Sequence, residues 1–376
     1  MKKTLLITLD YPPGYGGVGR MYQSFCRLVD KDNIIVIAPP ISLINNKDGQ
    51  EQFKIVRQEL LSKKVWPHWI TTIIKLYKIS KTLNSNQLIV GQVLPIGTAV
   101  YFLAFFYKIN YAVFVHGMDV AEPINNFIKR FLIRHILLNS SGVLAANDYV
   151  AELVQELGIN NSKIYRVYPI PILKQPNNIS SLSIKKEFKI NEAPMLLTIA
   201  RLVSRKGIDV VLKSLNEVWT KFPNLHYFII GDGPKKENLY ELSSQLNRPK
   251  QVHFMGALND ENTAKLLLAS DIFIMTPKTT SKGDIEGLGM VYLEASKFGK
   301  PVIGAKHGGI SGAIKNDETG ILVEENNHKA TSRAIIQLLS SPELRKTYGE
   351  NGQRFVDDKF NGSNYQDTLD KVFDNH

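Results

Sequence analysis

Apolar residues in this chain fall into short unbroken runs, each followed by a longer stretch at helical spacing, and the arrangement occurs twice. Residues 4–9 form the first run, which lacks polar alternation, as a strand buried on both faces requires. Runs at 34–38, 53–57, 88–93, 111–115 and 143–146 predict further strands, and 20–29 predicts the first helix. Residues 164–172 read as a last strand, with an irregular, proline-punctuated connector through 176–183. The pattern then restarts, with strands at 195–200, 227–230, 252–254, 272–275, 302–304 and 321–323 and helices at 208–221, 330–339 and 365–373. Such alternation predicts an α/β fold of parallel strands. It divides the chain into domains at 1–172 and 190–359 with a cleft between them, and a C-terminal helix within 360–376 can pack back on the first.

Composition narrows the class. At 376 residues the chain can build two ordinary cores, and 44% hydrophobic with 22% charged residues suits a soluble globular protein. The single cysteine, Cys26, excludes an internal disulfide and suggests a reducing compartment, or at least no dependence on oxidation. The first apolar run ends at Asp10 before a Tyr-Pro-Pro turn, which reads as a buried strand too short for a signal peptide. The longest apolar stretch, 93–107, contains Pro95 and Gly97 and falls short of the roughly 20 residues a spanning helix needs, so no transmembrane segment is expected.

The net charge of +11 is uneven: residues 1–170 carry 19 Lys or Arg against 11 Asp or Glu, or +8, and the remainder 27 against 24, or +3. Whatever anionic surface the protein meets, its first half is expected to meet it. Between 66 and 81 the apolar residues Trp66, Trp69, Ile70, Ile73, Ile74 and Tyr77 recur at helical spacing, among Lys63, Lys64, Lys75, Lys78 and Lys81. That combination suits peripheral contact with anionic lipid, and equally a core-facing helix with a solvated basic face. The basic and apolar segment 127–135 adds to the first reading.

Candidate chemistry gathers after the strands, where ligands of parallel sheets sit. Tyr11-Pro-Pro-Gly-Tyr-Gly-Gly-Val-Gly19 could cradle phosphate oxygens, although its spacing matches neither a dinucleotide fingerprint nor a P-loop, and a structural turn fits as well. His116 and Gly117 follow the strand at 111–115, and Arg201 and Lys206 follow the strand at 195–200, where two cations could neutralise a diphosphate. The stretch 284–295 holds Glu286 and Glu294 with Gly287 and Gly289 between them. On one helix these carboxylates would point roughly 80° apart. A turn at Gly287–Gly289 followed by a helix instead leaves Glu286 on a loop, puts Glu294 in the second turn and aims free N–H groups at an anion. A nucleotide diphosphate sugar fits such a site; taken alone, two solvated glutamates fit equally. Asp30-Lys-Asp32 precedes a strand and reads as a turn.

Gly16-Gly17, His116-Gly117, Arg201 with Lys206-Gly207, Gly231-Asp-Gly-Pro234 and Glu286 eight before Glu294 resemble, in order, the retaining glycosyltransferases of family four. The resemblance covers nearly the whole chain and is strongest over 197–310. It implies the GT-B fold, two facing Rossmann-like domains with a donor cleft between them. It also implies that Arg201 and Lys206 hold the donor diphosphate, Glu294 accepts from ribose hydroxyls, and Glu286 grips the transferred sugar with the amides of Leu288 and Gly289. His116 would then touch the sugar near the reacting carbon, and Gly16 and Gly17 would let the first loop close on the donor. No divalent metal and no other cofactor are expected, since the two cations take the metal's place. Two departures stand out: Pro169-Ile-Pro-Ile172 where many relatives have Asn-Gly-Val-Asp, and Ala200 where a glycine often precedes the arginine.

The expected function is transfer of a hexose, mannose favoured, from a GDP- or UDP-sugar to a lipid-linked or polysaccharide acceptor in cell-envelope glycan synthesis. The enzyme would be cytoplasmic, at the inner face of the membrane. A sugar-nucleotide epimerase of the same architecture would need no acceptor, and a phosphorylase would need a pyridoxal-binding lysine and a much longer chain. A non-enzymatic binding module for nucleic acid would rest on the charge alone, because no nucleic-acid motif is present.

Overall fold

Each unbroken apolar run becomes a strand of a parallel sheet. A computed structural model describes residues 3–13, 16–41, 48–121, 126–280 and 285–374; Gly14 and Tyr15 of the glycine-rich loop, and Gly283 and Asp284 ahead of Glu286, lie outside them. The chain divides into two compact units, Met1–Ile170 with Asn361–His376, and Pro171–Phe360.

In the first unit the strands are β1 (Thr4–Ile7), β2 (Ile34–Ala38), β3 (Lys54–Arg57), β4 (Gln87–Val90), β5 (Asn110–Val115), β6 (Gly142–Ala145) and β7 (Ile164–Arg166). They pair in the order β3-β2-β1-β4-β5-β6-β7, all in parallel, with Leu5 opposite Ile35 on one side and Leu88 on the other. Helices cover both faces, which is why β1, β2 and β6 are buried along their length. One layer is α2 (Ile70–Leu83), α3 (Thr98–Phe106), the single turn α4 (Met118–Ala121), α5 (Phe127–Leu138) and α6 (Asp148–Glu156); these share one core with alternate residues of the sheet. Against the other face lies α1 (Gly17–Leu28). The last helix of the chain, Tyr365–Asp374, joins that second core through Tyr365, Leu369, Val372 and Phe373. Gln366 accepts a hydrogen bond from the Asp30 amide at 2.8 Å, so this helix also fastens the turn ahead of β2.

In the second unit, α7 (Ser181–Glu187) leads into β8 (Met195–Ile199), α8 (Ile208–Lys221), β9 (His226–Ile230), α9 (Lys236–Ser244), β10 (Val252–Gly256), α10 (Asp260–Ala269) and β11 (Ile272–Ile274). It continues with α11 (Met290–Lys297), β12 (Val302–Ala305), β13 (Gly320–Val323), α12 (His328–Ser340) and α13 (Pro342–Lys359); the Tyr365 helix is α14. The parallel order is β10-β9-β8-β11-β12-β13. In both sheets the chain reverses its direction of winding beside the first strand, between β1 and β4 and between β8 and β11. The crevice left there is where ligands of such sheets bind.

Four segments differ from the sequence expectation. The last strand of the first unit ends at Arg166 rather than 172, because Pro169 and Pro171 have no N–H to give a ladder. The connector is not irregular to its end: Ser180 caps α7 by accepting from the Ser183 amide at 3.1 Å, and Lys185 pairs with Asp271 at 2.7 Å. The helix expected from Trp66 begins at Ile70, because Pro67 interrupts the segment and Trp69 takes the N-cap position. The 18-residue α13 was not anticipated, since it buries Tyr348, Gly349, Gly352 and Val356, where glycines occupy a stripe that usually shows as large apolar residues. They are needed: a Cβ on Gly349 would sit 2.0 Å from the Gly299 carbonyl oxygen. No helix of the described residues is long and apolar enough to cross a membrane.

Candidate active site

The loops that follow β8, β11 and β12 converge at the crevice of the second unit. Gly207 ends the first loop with φ +66°, and a Cβ there would lie 1.6 Å from the Thr276 carbonyl oxygen just beyond β11. Only glycine permits that approach. Thr276 donates to the Gly207 carbonyl at 2.9 Å, and the Lys278 amide donates to the Arg205 carbonyl at 2.9 Å. Two loops are thereby stitched together, and Arg205 and Lys206 project from the first at a fixed height.

Both cations meet Glu286. Arg205 approaches its Oε2 at 2.6 Å and Lys206 approaches the same oxygen at 2.8 Å. Glu286 is buried, and burial alone would raise its pKa; Lys206 and Arg205 outweigh that and hold the carboxyl below its ordinary 4.5. Its backbone is equally constrained. The Glu286 amide donates to His307 Nε2 at 3.1 Å, and its carbonyl accepts from the Gly309 amide at 2.9 Å. Since Nε2 accepts, the His307 proton is on Nδ1, which donates to Glu325 at 2.7 Å.

Downstream of Glu286 the chain turns at Gly289, the N-cap of α11, with φ +78°. A Cβ there would fall 2.7 Å from the Tyr292 ring, so both conformation and space demand glycine. The first amides of α11 have no partner within the helix and carry the positive end of its dipole. Glu294 lies in the second turn and is buried. Leu288 is buried as well, so its contribution to a ligand would come from its backbone. An anion at the α11 N-terminus would therefore find two cations within reach, and Glu286 and Glu294 beside them.

Arg201 is placed differently. Its side chain is exposed, and the Arg201–Leu202 backbone packs under the Gly231-Asp-Gly233 turn, where the Leu202 amide donates to Asp232 at 2.9 Å. Among the described residues Arg205, not Arg201, accompanies Lys206 at Glu286. Sequence reasoning passed over Arg205 and His307. The first adjoins Lys206, and the second follows the carboxyl end of β12 as His116 follows β5, so the same positional signal was available.

In the first unit, the candidate residues also lie after the strands of the crevice. Gly16 is the N-cap of α1, and a Cβ on it would stand 3.1 Å from the Asp10 carboxylate; Gly17 opens the helix and is exposed. His116 follows β5. Asp119 on α4 accepts from the amides of His116 at 3.0 Å and Gly117 at 2.8 Å, clamping the turn. Its pKa is pushed up to about 6 by burial, against the lowering effect of those backbone bonds.

The Tyr22 hydroxyl touches both the Gly91 carbonyl and His116 Nε2, the latter at 2.6 Å. A phenol has one proton and a carbonyl can only accept, so Tyr22 donates to Gly91 and accepts from the Nε2–H of His116. Nδ1 is then the unprotonated nitrogen. Burial lowers the His116 pKa to about 4, so the ring is neutral near pH 7.

The residues expected to contact lipid cluster on and before α2. Lys63, Lys64, Trp66 and Lys78 are exposed. Trp69 is half-buried and stacks on Phe102 at 5.4 Å, and Lys75 turns back to the Glu59 carbonyl at 2.6 Å, so neither is free to face outward.

Comparison with known proteins bears on this arrangement. Residues 181–355 match the family described as Glycosyl transferases group 1. Over 375 residues the chain is 25% identical to the GDP-mannose-dependent monoacylated alpha-(1-6)-phosphatidylinositol monomannoside mannosyltransferase of Corynebacterium glutamicum, covering 95% of this chain and 93% of that one. It is 30% identical over 186 residues, 49% of each chain, to the GDP-mannose-dependent alpha-(1-6)-phosphatidylinositol monomannoside mannosyltransferase of Mycolicibacterium smegmatis. Anabaena HepE in complex with UDP superposes over 100% of both chains with a TM-score of 0.84 at 15% identity. The fold is thus GT-B, with two parallel-sheet α/β units.

Proposed function

We propose that this chain, whose residues 181–355 match the glycosyl transferases of group 1, moves a hexose from a GDP- or UDP-sugar to a lipid-linked or polysaccharide acceptor of the cell envelope. Mannose is the favoured sugar, on the strength of relatives named for GDP-mannose. In this reading anomeric configuration is retained, and no divalent metal takes part. The enzyme works on the cytoplasmic side of the membrane.

The observation that carries the reading is the convergence of Arg205 and Lys206 on Glu286 at the mouth of the sheet, beside the N-terminus of α11. Breaking the bond between the anomeric carbon and the diphosphate leaves an extra negative charge on the departing oxygen. Two preorganised cations and a helix N-terminus stabilise it where it develops. Arg201 is assigned to the same diphosphate from its exposed position. Glu294 is assigned to ribose hydroxyls, and Glu286 with the amides of Leu288 and Gly289 to the hydroxyls of the transferred sugar. On the first unit, His116 is assigned to the sugar near the reacting carbon, with Gly16 and Gly17 admitting the donor to the loop. A neutral His116 with Nδ1 free of a proton can accept from a hydroxyl without repelling a developing oxocarbenium charge.

The test is release of nucleoside diphosphate from a panel of UDP-, GDP- and ADP-sugars, with and without a crude lipid extract. Glu286→Ala serves as control, with circular dichroism to check its fold. Release that needs one donor, the extract and Glu286 supports the reading. Conversion of a donor with no acceptor present would point to an epimerase, and equal turnover by Glu286→Ala would remove Glu286 from the site.

A further inference from the structure

Helix α3 is apolar on every side. Its sequence, Thr-Ala-Val-Tyr-Phe-Leu-Ala-Phe-Phe, buries Ala99, Val100 and Leu103 against the sheet and leaves Phe102, Phe105 and Phe106 on the outer face, with Phe105 76% and Phe106 69% exposed. A helix on the outside of a sheet ordinarily presents polar residues there. The anomaly is shared by its neighbours. On α5, Phe127, Ile128 and Phe131 are exposed, on α2 Ile70 and Ile74, and Trp66 stands out just before α2. Of the 14 large apolar residues exposed among those described, 11 fall between Val65 and Phe131, in or beside these three helices of one layer.

The three helices form a continuous surface. Trp69, the N-cap of α2, stacks on Phe102 of α3 at 5.4 Å, and Tyr77 meets Tyr107 at 4.3 Å. Both α3 and α5 bury their inner faces in the same core.

The charge around this surface is predominantly positive. Residues 60–134 contain nine Lys or Arg, namely Lys63, Lys64, Lys75, Lys78, Lys81, Lys108, Lys129, Arg130 and Arg134, against Asp119 and Glu122, a balance of +7 out of the chain's +11. Asp119 is turned inward onto backbone amides, and all nine cations except Lys75 are exposed. An apolar aromatic face rimmed by cations matches the interface of an anionic bilayer, whose acyl boundary takes the rings while its headgroups take the lysines. A protein partner would need an acidic rim around an equally apolar centre.

We propose that the outer face of α2, α3 and α5 is a membrane-docking surface for anionic lipid, in which Phe105, Phe106, Phe127, Ile128 and Phe131 enter the interface and Lys63, Lys64, Lys78, Lys81, Lys129 and Arg130 hold the headgroups. This goes beyond the lysine-rich segment before α2 by supplying the apolar insertion that makes such binding outlast moderate salt. It does not depend on glycosyl transfer.

The test is co-sedimentation of the full chain, without donor, with vesicles of phosphatidylcholine alone or mixed with phosphatidylglycerol. The wild type is expected to bind only the mixed vesicles. Phe105→Ser/Phe106→Ser should lose most of that binding at every salt concentration, while Lys63→Gln/Lys64→Gln/Lys78→Gln/Lys81→Gln should lose about fivefold per lysine at low salt. These positions are exposed, so both variants should melt with the wild type. Failure of the wild type to bind mixed vesicles at low salt overturns the proposal, as does binding that neither variant weakens. Light scattering in parallel covers the remaining occupant: a wild-type dimer that the Phe105→Ser/Phe106→Ser change splits, with no vesicle binding, would make the face a contact between two copies and refute the lipid assignment.

Discussion

Glu286 lies between Arg205 and Lys206, the two cations to which the proposed function assigns the anionic leaving group. Replacing it with glutamine keeps the shape and removes the charge. At 2.6 and 2.8 Å, each pair is worth roughly 6 kcal/mol of gross attraction at an effective dielectric of about 20. Desolvation offsets most of this, and loss of the shared partner should cost about 2–4 kcal/mol of stability. The effect on binding has the opposite sign. A diphosphate seated on the two cations must displace or sit beside the carboxylate, and a unit charge about 5 Å away opposes it by about 1–3 kcal/mol. Glu286→Gln should therefore bind UDP or GDP roughly tenfold more tightly than the wild type, by titration calorimetry, while sugar transfer collapses because the sugar's hydroxyls lose their ionised acceptor. If the folded variant instead bound nucleoside diphosphate no better than the wild type, the competition between Glu286 and the phosphates would be refuted. The pH dependence carries a sign as well. The carboxyl pKa is depressed in the fold, so its stabilisation is complete above 4.5 and is lost as pH falls below that through the folded value.

Two further outcomes follow from the loops and the buried groups. Gly289→Ala forces a side chain into φ +78° and onto the Tyr292 ring, and should lower stability by about 1–3 kcal/mol in denaturant melts while weakening nucleotide binding, because the α11 N-terminus must shift. Asp119 and His116 titrate against each other. Asp119, raised to about 6, stabilises the fold below 3.8 and loses that contribution as pH rises to 6; His116, lowered to about 4, contributes above 6.5 and loses its contribution as pH falls to 4. Over pH 4–6 the two slopes nearly cancel, so Asp119→Asn should expose the histidine's and make stability rise with pH by on the order of 1 kcal/mol per unit, measured by urea unfolding across that range. A profile unchanged from wild type would show that Asp119 is not the proton carrier.

The strands were legible in the sequence because a parallel sheet covered on both faces requires unbroken apolar runs, and those of β2 and β12 admit almost no other reading. Gly289 and Glu294 were legible for a related reason: a glycine turn entering an apolar helix has few conformations open to it. The 18-residue α13 escaped because its buried stripe is built on Gly349 and Gly352, whose purpose is visible only in the approach to Gly299. Local pattern could place Arg201, Arg205 and Lys206 on one loop after β8, but it could not say which of them reach Glu286, 80 residues onward. That was decided by Gly207 lying against Thr276, which sets the height and direction of the loop. The face of α3 is the same lesson inverted. The sequence supplied a helix without a polar side, and only its packing on one flank of the sheet determined that three phenylalanines stay in the open, since the core beneath is already filled by Ala99, Val100 and Leu103.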